Sequence, residues 1–276
     1  VARDDFAILA QTASGTVTVG NAGTLTGTGG IVATATVGNV TVTNSGTITA
    51  TSTTDPVAVA LKASGTASFT NTGTVNGGFT TTGGTNTITN DGTWNLLPTG
   101  VTSASWALTG TTSVVDGGTF EVSGGSATIN GLGSFSVGST GLLKIDTASS
   151  LTLTGTTVTD DGTLRVLAGA TLSTGAANVA TTSSKITATA DVTGAGAQWT
   201  IDGRLGVGVS AAGTLTVSNG GAVSSKGAIV GWNAGGVGTV TVTGAGSTWT
   251  DTGDLYIGNE GVGTVAVAAG GAVEQT

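Results

Sequence analysis

The chain has 276 residues, 50 of them glycine, no cysteine or histidine, and a formal net charge of −8. Without histidine a Ser–His–Asp triad is impossible, and without either residue so is an ordinary zinc site. The seven cations are scattered singly (Arg3, Lys62, Lys144, Arg165, Lys185, Arg204 and Lys226), so no basic stripe is present to hold nucleic acid or an anionic membrane surface.

The N-terminal segment Val1-Ala-Arg-Asp-Asp-Phe6 carries acids where a signal peptide carries cations, and the chain stops at Thr276 inside a repeat. The expectation is a processed or excised piece of a longer protein. No run of eighteen apolar residues suggests a membrane-spanning helix. Glycine this abundant, with only Pro56 and Pro98 and no G-X-Y period, excludes collagen.

The first two-thirds repeat loosely. Asn21-Ala-Gly-Thr24, Asn44-Ser-Gly-Thr47, Asn71-Thr-Gly-Thr74, Asn90-Asp-Gly-Thr93, Asp116-Gly-Gly-Thr119 and Asp160-Asp-Gly-Thr163 recur, with Gly141 in the remaining gap, at steps of roughly 19 to 27 residues. Each is expected to be a turn, with glycine supplying positive φ. Between them lie short runs of period two, such as Val40-Thr-Val-Thr43 and Leu151-Thr-Leu-Thr154, the pattern of half-buried strands. No segment sustains a helical period.

The last third is regular. Gly213-Thr-Leu-Thr-Val217, Gly238-Thr-Val-Thr-Val242 and Gly263-Thr-Val-Ala-Val267 recur every 25 residues. Gly194-Ala-Gly-Ala-Gln-Trp-Thr200 returns 50 residues later as Gly244-Ala-Gly-Ser-Thr-Trp-Thr250. Residues 1–187 therefore read as irregular coils, and residues 188–276 as regular 25-residue coils in a 50-residue super-repeat. Because one unit cannot bury its apolar face alone, copies must stack, placing Leu215, Val240 and Val265 in one column and Val217, Val242 and Val267 in another. The predicted fold is a single all-β solenoid of roughly eleven or twelve coils, on the order of 55 Å long at ~4.8 Å per parallel strand.

Candidate chemistry is sparse. Asp160 and Asp161 are adjacent acids, but neighbouring strand residues face opposite ways, so turn chemistry is the preferred role over catalysis. Asp251, Asp254 and Glu260 form the densest acidic group, preferred as solvating charge over a calcium site. Trp199 and Trp249 occupy equivalent repeat positions and are expected to pack at corners. Trp232 lies in the tract from Trp232 to Val237, which is longer than its counterpart Val209 to Ala212. Trp232 and Asn233 are accordingly the candidate ligand contacts. Thr239, Thr241 and Thr243 would form an outward row beside Thr214 and Thr216, an arrangement able to order water, which Ala266 and Ala268 interrupt one coil later.

Gly213-Thr-Leu-Thr-Val-Ser-Asn-Gly-Gly-Ala-Val223, Ile229-Val-Gly231 and Gly238-Thr-Val-Thr-Val-Thr-Gly-Ala-Gly-Ser-Thr-Trp-Thr250 resemble the repeat of bacterial autotransporter passengers and of surface proteins with PEP-CTERM-type sorting tails. The resemblance covers residues 188 to 276. It implies a right-handed parallel β-helix, exported to a Gram-negative cell surface or the extracellular space, and covalently linked in the full-length chain to an outer-membrane β-barrel. The expected function is a non-catalytic adhesin, stalk or spacer whose partners are glycans or proteins of host or neighbouring cells, with no cofactor, metal or nucleic acid. The alternatives are a polysaccharide hydrolase or lyase on the same fold and an ice-binding solenoid.

Overall fold

The computed structural model describes residues 6–182 and 187–276; Arg3 and Lys185 lie outside the described residues. The fold is a parallel β-solenoid of about eleven turns, with no helix among the described residues. Each coil contributes one strand to each of three faces. In the first coil these are Phe6–Thr12, Val17–Asn21 and Thr24–Gly27. The third face is an unbroken sheet of eleven parallel strands, ending at Val262–Ala268. In two coils, the long strands Ser103–Asp116 and Ser126–Val137 bend from the first face into the second without a break in strand assignment.

The predicted columns are present. Leu215 pairs with Val240 and Val240 with Val265, while Val217, Val242 and Val267 follow in the adjacent position. Parity explains which residues are inside: along each strand every second side chain points into the bore, and most of these are Val, Leu, Ile, Ala or an aromatic, with polar residues concentrated at the strand ends. The aromatics gather in the first half. Trp94 is flanked by Phe69, Phe79 and Phe120 at centroid distances of 5.4, 5.4 and 5.7 Å, and Phe135 meets Phe120 edge-on at 5.1 Å.

The first face is interrupted once. Gly78–Thr82 pairs with Val57–Ala63, whereas the first half of Ser103–Asp116 pairs forward with Ser126–Val137. Trp106 lies at the break, its indole so close to Gly78 that a Cβ there would overlap the ring.

Trp199 and Trp249 are buried on strands of the first face rather than at corners, which corrects the expectation. Their column reads Leu172, Trp199, Val223, Trp249, Val273. Tryptophan alternates with valine in this column, so each indole spreads over a smaller neighbour above and below it. This accounts for a super-repeat of 50 residues rather than 25. Each indole also reaches back one coil to a hydroxyl: Trp199 Nε1 donates to Thr174 Oγ1 at 3.3 Å and Trp249 Nε1 to Ser225 Oγ at 3.1 Å. Val223→Trp, which puts three indoles on successive coils, is expected to lower stability by about 3 kcal/mol. Chemical denaturation checks this, and an unchanged midpoint would refute the packing account.

The Asn/Asp-x-Gly-Thr motifs form the corner between the second and third faces, but not by the expected means. None of Gly23, Gly46, Gly73, Gly92, Gly118 and Gly162 adopts a left-handed φ. Glycine is needed instead for stacking: a Cβ on Gly46, Gly73, Gly92 or Gly118 would overlap the carbonyl oxygen of the motif glycine one coil earlier. The asparagines point inward. Asn21, Asn44, Asn71 and Asn90 are buried in one column, each donating from Nδ2 at 2.7 Å to the next residue of the file: Asn44, Asn71 and Asn90 Oδ1, then Asp116 Oδ1. Each Nδ2 also reaches the carbonyl of its own motif glycine. Each of these corner carbonyls thus accepts twice, from the asparagine of its own motif and from the threonine amide of the next coil.

Candidate functional site

The acidic candidates do not converge. Asp160 is buried in the bore, its Oδ1 accepting from the Gly162 amide at 3.0 Å. Asp161 faces the other way and accepts from the Thr181 amide at 2.6 Å, the Thr181 hydroxyl at 2.9 Å and the Thr182 amide at 3.0 Å. The pair is divided by the corner and organises the next coil. Asp251 is also inside, receiving Ser225 Oγ and the Gly227 amide, both at 2.7 Å, while Asp254 and Glu260 are exposed. Among the described residues no three His, Cys, Asp or Glu side chains are grouped as a metal would need.

Two buried acids have displaced pKa values. Asp116 closes the asparagine ladder; Oδ1 takes the Asn90 bond and Oδ2 has no hydrogen-bond partner. Burial pushes its pKa up to about 6, opposed by Asn90 and the amides of Gly118 and Leu142 and assisted by the charge of Asp91. Asp160 is pushed up to about 7, again mainly by burial, with the Gly162 amide opposing and Asp161 and Asp191 assisting.

Trp232 and Asn233 lie in the corner between Ala228–Val230 and Val237–Thr243. Trp232 is half-buried, its ring laid against Gly206 and held by the Arg204 guanidinium 5.4 Å from the ring centroid. Asn233 is exposed and its Nδ2 donates to Ser210 Oγ at 3.0 Å, one coil back. The two side chains therefore engage different partners rather than one common contact surface.

The outer faces hold more order than the sequence suggests. On the third face one outward file reads Thr24, Thr47, Thr74, Thr93, Thr119, Leu142, Thr163, Thr189, Thr214, Thr239 and Thr264. The file beside it reads Thr26, Thr49, Asn76, Asn95, Glu121, Lys144, Arg165, Asp191, Thr216, Thr241 and Ala266. Lys144 and Arg165, isolated in the sequence, are thus neighbouring rungs. Acids flank them: Lys144 Nζ is 2.8 Å from Glu121 and 3.4 Å from Asp146, and Arg165 Nε is 3.7 Å from Asp191. The Glu121 hydrogen bond raises the Lys144 pKa.

A groove of about 650 Å³ runs beside that second file, lined by Thr49, Asn76, Asn95 and Glu121 and walled by residues 97–102. Sequence reasoning passed over it, although the spacing of Asn76 and Asn95 and the seven residues between Asn95 and Ser103 were the signal. No family model matches this chain, and no curated protein or solved structure matches it either.

Proposed function

We propose that this chain is a non-catalytic rod displayed on a bacterial surface, acting as an adhesin, stalk or spacer in the manner of an autotransporter passenger. The observation that carries the reading is the uninterrupted third face, in which eleven coils keep one register and present a file of threonines to solvent. Such a stack projects whatever it carries by roughly 50 Å at ~4.8 Å per coil. Its contacts are local between neighbouring coils, which suits a chain that folds coil by coil after export. Hydroxyls and amides repeated along a rod favour many weak contacts, so attachment rises with valency.

The hydrolase or lyase alternative requires paired carboxylates at a common cleft; Asp160 and Asp161 point to opposite sides of a corner, which weighs against it. The ice-binding alternative gains from the threonine file and loses from its neighbour, where Asn76 to Asp191 break the two-column array over six coils. The test is to fuse the chain to an outer-membrane barrel on a non-adherent bacterium. The expected result is attachment to at least one glycan- or protein-coated surface, or a measurable increase in the reach of an epitope carried at its tip. Neither gain, or release of reducing ends from polysaccharides, would overturn the proposal.

A further inference from the structure

We infer that the groove beside Asn76 and Asn95 is a binding site for an uncharged, extended oligosaccharide. The inference rests on the adhesive reading above and gives it a ligand class.

The groove arises from uneven corners. Where the third face returns to the first, the connections at Thr28 and Gly77 are one residue long, whereas residues 51–56 and 96–102 form long excursions. Thr51 bounds the groove at one end and residues 97–102 form its wall, while the outward side chains of four successive rungs, Thr49, Asn76, Asn95 and Glu121, line it along the rod axis. Four rungs span roughly 14 Å at ~4.8 Å each, and the step between rungs is comparable with the advance of one pyranose ring along an extended glycan.

The lining is held in place before any ligand arrives. Leu97 and Val101 are buried, the Val101 amide donates to the Pro98 carbonyl at 3.0 Å, and the Leu96 amide donates to the Glu121 carbonyl at 2.9 Å. Beneath, Trp94 Nε1 donates to the Gly77 carbonyl at 2.7 Å. The carboxamides are oriented by each other: Asn95 Nδ2 donates to Asn76 Oδ1 at 2.8 Å and Asn76 Nδ2 to Thr49 Oγ1 at 3.1 Å. Each amide group keeps a second N–H for a ligand hydroxyl. Pre-set carboxamides along one side face a wall whose exposed part is Thr99, Gly100 and Thr102, so hydroxyl and amide partners for sugar hydroxyls lie on both sides.

Charge decides the class of sugar. The groove holds one carboxylate, Glu121, whose partner Lys144 is already engaged by Glu121 and Asp146. With a net charge of −8 on the chain, uronates, sialic acids and sulfated sugars are repelled. A peptide strand is disfavoured because every third-face strand at the groove is paired on both sides, leaving no edge to extend.

The test uses the whole 276-residue chain and saturation-transfer NMR with titration against cellotetraose, mannotetraose, xylotetraose and tetragalacturonate. At least one neutral tetrasaccharide is expected to bind, and tetragalacturonate is not. Asn76→Ala and Asn95→Ala each weaken that binding about tenfold. Thr51→Trp, a change on an exposed rim residue that leaves the carboxamides untouched, abolishes it with unchanged far-UV circular dichroism. Failure of all three neutral sugars, or equal binding by Asn95→Ala and Thr51→Trp, overturns the inference. If displayed cells still adhere with Thr51→Trp, the groove assignment falls while the adhesive reading stands. Tetrasaccharide binding without adhesion by the parent chain gives the converse result.

Discussion

Urea unfolding, followed by tryptophan fluorescence, is expected to require less denaturant at about pH 8 than at about pH 5, the reverse of ordinary acid denaturation. The cause is the pair of buried acids. Asp116 and Asp160 have folded pKa values of about 6 and about 7 against an ordinary 3.8. The folded state therefore keeps protons that the unfolded chain has released. As pH rises from about 4, the unfolded chain gains from ionising in water while the folded chain cannot, so stability falls. The decline ends once the folded pKa values are passed. A raised pKa of this size corresponds to about 3 kcal/mol for Asp116 and about 4 kcal/mol for Asp160, as upper figures. Asp146 acts the other way: the Thr147 amide, and then Lys144, hold its pKa down, so its contribution is lost as pH falls through the carboxylate range. Stability is thus expected to peak near pH 4, where the carboxylates of the unfolded chain begin to ionise. Asp116→Asn retains the acceptor for Asn90 and supplies an amide that can reach the Gly118 carbonyl as the other ladder residues reach theirs. Combined with Asp160→Asn it should raise the midpoint at pH 8 and flatten the pH profile. A parent chain with equal midpoints at both pH values, or a double variant that keeps the slope, would refute this account.

The second large effect is expected at the corner glycines. Gly73→Ala places a methyl on the Gly46 carbonyl oxygen, which also accepts the Thr74 amide at 2.8 Å. Neither atom can retreat without parting two coils and stretching the Asn44–Asn71 rung, so the cost should be about 4 kcal/mol or more. Gly23→Ala is the internal control: its Cβ meets nothing within 4 Å and its φ is not left-handed, so its cost should stay below about 1 kcal/mol. The contrast separates stacking from backbone conformation. Equal losses at both positions, measured by thermal or urea unfolding, would show that the glycines serve the turn itself.

Much of the corner was legible. Val17, Val19 and Asn21 share one strand parity, as do Val40, Val42 and Asn44, so carrying the period two residues further places each asparagine inside. The motif was instead read as turn chemistry, because Asn followed by glycine commonly signals positive φ. The tryptophan positions were visible as a 50-residue repeat, but their alternation with valine depends on which residues share a column. Lys144 and Arg165 are 21 positions apart, and nothing in their local sequence shows that they are adjacent rungs between acids. The groove was hidden for the same reason: it lies between excursions of unequal length, and its lining comes from four coils.

Periodicity alone determined that this chain is a stack of parallel coils and which side chains turn inward, because alternation along a strand and recurrence between coils are both one-dimensional properties. The tertiary structure decided what each side chain meets one coil above and below. Corner lengths vary from coil to coil, so the sequence distance between stacked residues is not constant. The asparagine ladder, the paired charges and the groove all depend on that vertical alignment.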